Sequence, residues 1–344
     1  MVLSKAKLIN VCIARRKEMI LADTCYMIVH VDDIQVASNN EKLIESFKNH
    51  IGRQFEVKDM GSVKHFLGID VKRDEDGNFH ISQKQYIEKI VEEAGLNDGK
   101  FSKYPLMTGY FRHHDENYLE SNNEYRKLIG KLLYVSTNTR PDIAASVGIL
   151  SQKISKPTKT DLIEARRIIR YLNGTKNLSL MLSDKKKVGE LEVYSDASWA
   201  EDSLDRKSIS GFLCGINGGV VSWCSRKQDV VSLSSMEAEY IALSESCKEL
   251  KWVKMLTNSF SEFVVPDKTT LYTDSQSSMK LISNQKFSNR SKHIDTKYHY
   301  VKQLVDSGEI ELKYCSTDVN IVDMMTKPLG NIKLKKFTDD CGLR

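Results

Sequence analysis

The chain is expected to be mixed α+β and α/β, and three observations carry that expectation. A strand–turn–strand pattern near the start, YMIVHVDDIQVAS (Tyr26–Ser38), holds two adjacent aspartates inside an apolar, β-branched run. The middle, Glu124–Gly174, has helical periodicity throughout. After residue 189 strands come first and then alternate with helices, the order of an α/β layer on a mixed sheet.

Taken in order, Tyr26–Val31 and Ile34–Ala37 read as strands around a tight Asp-Asp turn. Carboxylates are depleted from strands, so a side-by-side pair marks a turn or a cation site. Glu41–Gly52 reads as a helix, with Leu43, Ile44, Phe47 and Ile51 on one face. His65–Val71 and Asn78–Ile81 form a hairpin whose turn signal is Asp76-Gly77. Gln83–Ala94 is helical and stops at Gly95. From Glu124 to Gly174 the apolar positions Leu128, Leu132, Leu133, Ile143, Val147, Leu150, Leu162, Ile168, Ile169 and Leu172 define helices broken at Pro141 and Pro157. The polar turn Ser183–Gly189 reads as a domain boundary. Strands are expected at Leu191–Asp196, Ser210–Cys214 and Gly219–Cys224, then a long helix at Ser235–Ser259. A strand at Thr269–Thr273, a helix from Asp274, a strand at Ile310–Tyr314 and a short helix from Ile321 complete the chain.

Length and composition bound the answer. At 344 residues the chain exceeds one typical core, so two or three domains are expected. No apolar run approaches the roughly 20 residues that cross a bilayer, so no membrane partner is expected. Seven scattered cysteines without a C-x-x-C pair read as reduced thiols of an intracellular protein with no zinc site. The net charge of +5 says little until it is located. Residues 280–302 hold six Lys/Arg and one Asp, interleaved with Phe287, Tyr298, Tyr300, His293 and His299. Such a window suits a polyanion, although a solvated helix face has the same composition.

Four carboxylates in the second half stand at element edges: Asp196 in VYSDASWA, Glu237 in SSMEAEYIAL, Asp274 in LYTDSQSS and Asp323 in NIVDMMTKPL. Acids converging from strand ends and helix starts are what a two-metal phosphodiesterase needs, because hard oxygen ligands hold Mg²⁺. Each acid has a structural role open to it as well. Ser234-x-x-Glu237 is a capping box, Asp274 is a natural N-cap, Asp323 complements a helix dipole, and Asp196 suits a turn.

Order and context carry a further reading. YSDASWAEDSLDRKSISGFL, VSWCSRKQDVVSLSSMEAEYIALSE, LYTDSQSSMKLI, SKHIDTKYHYVKQLVDSGEIEL and DMMTKPL resemble the ribonuclease H domain of copia-type LTR retrotransposon Pol polyproteins. Upstream, FEVKDMGSVKHFLGIDV, ISQKQYIEKI, YRKLIGKLLYVSTNTRPDIAASVGILSQ and KPTKTDLIEARRIIRYLNGT resemble the reverse transcriptase palm and thumb of the same polyproteins. The resemblance runs from about Tyr26 to about Leu329. It implies a truncated polymerase palm and helical thumb followed by a ribonuclease H-like mixed-sheet domain. The boundaries it implies are 1–25 unmatched, 26–95 partial palm, 96–185 thumb or connection, 186–330 ribonuclease H-like, and 331–344 a C-terminal tail.

The resemblance implies catalytic, metal-ligating acids at Asp196, Glu237, Asp274 and Asp323, with Glu239 ranked behind Glu237. Two Mg²⁺ ions are the implied cofactor, with Mn²⁺ able to substitute. The implied partner is an RNA–DNA hybrid, held by Lys280, Lys286, Arg290, Lys292, His293 and Lys297, with other Pol subunits as further partners and a cytoplasmic location. Asp32 and Asp33 look like the Asp-Asp of the polymerase motif, with His30 where the family has tyrosine. Only 31 residues precede Asp32, so the expectation is hydrolysis of RNA in RNA–DNA hybrids by a chain whose polymerase is lost through N-terminal truncation. The rival expectations are a catalytically inactive nucleic-acid-binding remnant, or a polymerase completed by another chain.

Overall fold

The computed structural model describes residues 11–15, 23–112, 115–182, 190–260, 266–283 and 295–344. The chain divides into two compact units, Met1–Leu67 and Gly68–Arg344. The Ser183–Gly189 turn lies outside the described residues, as does most of the unmatched segment 1–25.

The first unit is built on an antiparallel sheet of β1 (Val11–Arg15), β2 (Thr24–His30) and β3 (Asp33–Ser38), with α1 (Glu41–Gly52) and a two-residue strand β4 (His65–Phe66) after it. Asn40 caps α1 by accepting the Lys42 N–H. The β2–β3 turn differs from the expected one. His30 pairs with Asp33, so the loop is Val31-Asp32 and Asp33 already belongs to β3. Val31 takes the left-handed region (φ +53°) and is 82% exposed. A two-residue hairpin loop demands such a backbone, and here a β-branched residue supplies it at a steric cost of about 1–2 kcal/mol.

In the second unit, β5 (Ile69–Arg73), β6 (Phe79–Ser82) and β7 (Leu180–Leu182) form an antiparallel run. The expected Asp-Gly turn joins the first two, with Gly77 left-handed (φ +88°). Helices α2 (Lys84–Glu93), α3 (Asn123–Asn138), α4 (Ala144–Ser151) and α5 (Lys159–Gly174) lie between β6 and β7 in the chain. Thr158 and Asp161 close a capping box at the start of α5.

A five-stranded mixed sheet comes next. It contains β8 (Leu191–Ser198), β9 (Ile209–Ile216), β10 (Gly219–Lys227), β11 (Thr269–Thr273) and β12 (Ile310–Tyr314) in the order β10-β9-β8-β11-β12. The first three strands run antiparallel and β11 and β12 run parallel to β8, as the strands-then-alternation pattern foretells. Helices α6 (Ser235–Thr257), α7 (Gln276–Ser283), α8 (Asp295–Asp306), α9 (Asp323–Thr326) and α10 (Asn331–Asp340) complete the unit.

Period-2 alternation sends the sheet's side chains to two cores. On one face Val193, Cys214 and Leu271 pack with Tyr240, Leu243 and Leu250 of α6 and Val301 of α8. On the other, Ile209, Leu213 and Val220 join Ile129 and Leu132 of α3, Val147 of α4, Ile168 of α5, and Met325 of α9. The helical stretch and the mixed sheet therefore share one core, across the boundary expected at 185/186. The expected tail, 331–344, is instead a packed helix and strand-like end. Leu334, Phe337, Cys341 and Leu343 are buried in the same core, and Leu343 bridges to Leu180 of β7. Apolar residues at helical spacing drive that docking.

A buried ion pair pins the helices. Arg140 is fully buried and binds both oxygens of Asp142 (2.9 and 2.7 Å) and the carbonyl and hydroxyl of Thr175. Tyr171 donates to Asp142 Oδ2 at 2.7 Å. Arg140→Ala should leave the Asp142 charge unpaired in the core and destabilise the second unit by about 3–5 kcal/mol, read as a lowered midpoint in urea. A protease site engineered into 183–189 should give, once cut, two pieces that co-elute on gel filtration and separate only in denaturant, because the core spans the cut.

Candidate metal centre

Asp196 sits near the end of the central strand β8, opposite Gly211 of β9. The parallel neighbour β11 pairs Tyr272 with Tyr194, and their rings stack at 4.7 Å. Two residues on, Asp274 leaves β11 beside Asp196, because parallel strands deliver equivalent ends to the same edge. From α6, which packs on β8, comes Glu239. One ligand oxygen from each of Asp196, Glu239 and Asp274 lies within 4.8 Å of the others. Glu239 accepts the Ala197 backbone N–H, while its Oε2 is buried with no hydrogen-bond partner.

The electrostatics of this group follow from crowding. Burial, resisted by Lys327 and Thr326 and reinforced by Asp323 and Asp274, raises the Asp196 carboxyl. Burial and then Asp196 and Asp274 raise that of Glu239. Asp274 accepts from the Thr317 hydroxyl at 2.7 Å. Crowded carboxylates and an orphaned buried oxygen are the environment that a hard divalent cation relieves. The donor set fits Mg²⁺ or Mn²⁺.

Of the four expected acids, the structure brings Asp196 and Asp274 together and treats the other two differently. Glu237 turns to the helix terminus. Its Oε2 accepts the Leu233 N–H (2.7 Å), and its own N–H goes to Ser234 Oγ (3.2 Å). Glu237 is thus engaged at the helix start, with the Ser234 cap on its N–H and its carboxylate on the Leu233 N–H one residue ahead of the cap, so the expected capping box is only half formed. Glu239, about 200° around the helix, supplies the carboxylate of the cluster. Asp323 is fully buried, with Lys327 Nζ 2.8 Å from Oδ1 and Lys333 Nζ 2.5 Å from Oδ2.

Thr326 of α9 donates to Asp196 Oδ2. That contact depends on Gly211, where a Cβ would stand 2.8 Å from Met325 Cβ and Thr326 Cγ2. Only the missing side chain lets α9 settle onto β9. The 315–322 loop is held in turn by α10, through Lys333 to the Thr317 carbonyl and Lys336 to that of Asp318. Sequence reasoning missed Lys333, since no motif reaches it.

Asp32 and Asp33 are both exposed on the β2–β3 hairpin. Among the described residues they join no group of three ligand-type side chains. Lys280 is exposed on α7 and Lys297 half-buried on α8. Lys286, Arg290, Lys292 and His293 lie outside the described residues.

Comparison with known proteins now decides the lineage. The family described as “Reverse transcriptase (RNA-dependent DNA polymerase)” matches residues 19–108. The “Retrovirus-related Pol polyprotein from transposon RE1” of Arabidopsis thaliana is 33% identical over 320 residues, 92% of this chain. The “Putative transposon Ty5-1 protein YCL074W” of Saccharomyces cerevisiae is 31% identical over 227 residues, which are 65% of this chain and 73% of that protein. The chain belongs to the Pol family of copia-type transposons. It spans 22% of the length of the RE1 polyprotein. Among solved structures, the ribonuclease H1 of Halobacterium salinarum aligns with 43% of the Pol chain and 99% of its own, at 16% identity and a TM-score of 0.30.

Gly211→Val should push α9 off the sheet and destabilise the unit by about 1–3 kcal/mol. Urea denaturation reads that loss, and Mn²⁺ affinity should fall with it because Asp196 loses its Thr326 contact.

Proposed function

We propose that this chain hydrolyses the RNA strand of RNA–DNA hybrids at the Asp196–Glu239–Asp274 centre. The observation that carries the reading is the buried, unpartnered Glu239 Oε2 facing two further carboxylates at the end of a mixed sheet. Membership of a Pol family supports a nucleic-acid substrate. A divalent ion held by these three residues would supply Lewis-acid activation of water and charge neutralisation at phosphorus. The residues' own part is to fix that ion. Thr326 and the Ala197 N–H hold Asp196 and Glu239 in place, and Thr317 holds Asp274. Recognition of the hybrid rests on backbone shape and 2′-hydroxyls, with Lys280 and Lys297 as phosphate contacts and Lys286, Arg290, Lys292 and His293 as their proposed companions. Hybrid affinity then falls steeply as salt rises.

The polymerase reading is narrower. The exposed Asp32–Asp33 hairpin offers two carboxylates, and polymerisation by this chain requires a third ligand from beyond the described residues.

The test is cleavage of a fluorescent RNA–DNA hybrid in Mg²⁺. Glu239→Gln and Asp274→Asn should each reduce the rate by about 100-fold or more, since a metal ligand contributes several kcal/mol. Glu237→Gln should keep most of the rate and fold with little loss of stability, because glutamine still offers an oxygen to the Leu233 N–H. Equal loss in Glu237→Gln and none in Glu239→Gln would overturn the assignment. A folded wild type that binds the hybrid without cutting it would favour the inactive remnant.

A further inference from the structure

The lysines on Asp323 are unused so far, and their placement is specific. Lys327 ends α9 as its C-cap with an extended backbone (φ −150°, ψ 154°). That bend folds its side chain back over the turn to Asp323, four residues earlier. Lys333, in the first turn of α10, donates to Oδ2 of the same carboxylate from the other side, while Oδ1 of this fully buried Asp323 lies beside the Lys327 ammonium without a hydrogen bond to it, so each oxygen has one ammonium group next to it. The Lys327 charge also bears directly on Asp196 and Glu239. It faces Glu201 as well, which is exposed and has Arg112 beside it.

Resting on the metal-centre reading above, we infer that Lys327 is the built-in counter-cation of this centre. Asp323 serves the two lysines, and Asp196, Glu239 and Asp274 take a single divalent ion. Charge balance carries the inference. Four ionised carboxylates and two ammonium groups leave two negative charges, which one divalent ion cancels. A second ion would leave an excess of two positive charges at a largely buried place, a costly arrangement. It would also have to displace Lys327 from Asp323. The sequence pattern of four acids points to two ions, and the lysine four residues after the last acid changes that count.

The experiment is Mn²⁺ binding to the full chain, followed by electron paramagnetic resonance, with circular dichroism to verify folding. One Mn²⁺ per wild-type chain is expected, lost in Asp196→Asn and kept in Asp323→Asn. Lys327→Arg should preserve that stoichiometry and affinity. Lys327→Met should take up a second ion or bind the first at least about ten-fold more tightly, because a positive charge has left its vicinity. Lys333→Met should shift affinity in the same direction and stands in if Lys327→Met does not fold. Two ions in the wild type, one of them lost in Asp323→Asn, would overturn the inference while leaving the centre intact. Unchanged affinity in both lysine variants would overturn it as well. No Mn²⁺ uptake by folded wild type would remove the centre itself, a distinguishable failure.

Discussion

Carboxylates gathered in a buried place repel one another, and the second unit is arranged around offsetting that repulsion. Burial works against the Lys327 ammonium, yet Asp196 and Asp323 outweigh it and hold its pKa above the usual lysine value. Lys333 adds a second positive charge from a helix that shares no motif with the acids. The docking of α10 through Leu334 and Phe337 therefore has an electrostatic result. It brings a cation to Asp323 and steadies the loop that presents Thr317 to Asp274.

The scaffold beneath this centre is a sheet buttressed on both faces. α6 and α8 cover one side, and α3, α4, α5 and α9 close the other. Trp223 of β10 donates to the Ser136 carbonyl of α3 at 2.8 Å, tying the helices to the sheet edge. Stretches that resemble a polymerase thumb and a nuclease domain are thus one packed body in this chain. Positional precision at Asp196 follows from β8 being the middle strand, paired on both sides.

Most of this fold was legible because hydrophobic period and turn chemistry are local signals. α1, β11 and β12 fall where the pattern places them, and β8 to β10 and α6 differ by a few residues at their ends. The two aspartates of the cluster were legible too, since Asp196 lies near the end of β8 and Asp274 directly follows β11. Glu239 was harder. It lies among the buried residues Ala238, Tyr240 and Ile241, and Glu237 matched the expected motif. The available clue was the capping box: an acid engaged at a helix end is not free to face a strand end two residues of helix away. The lysine clamp was not legible at all, because it depends on where α10 docks. Nor was the one-residue shift of the β2–β3 turn, which the strand register sets and the Asp-Asp pair does not.

Gly211 has a use beyond this molecule. It stands across the hairpin from Asp196, and its missing side chain is filled by the helix that carries Asp323 and Thr326. The same packing bears on any related chain. A copy can keep every carboxylate and still seat that helix poorly if this one position has gained a methyl group. The residue opposite the first aspartate is therefore a separate, readable criterion for sorting copies that can assemble the centre from those that only spell it.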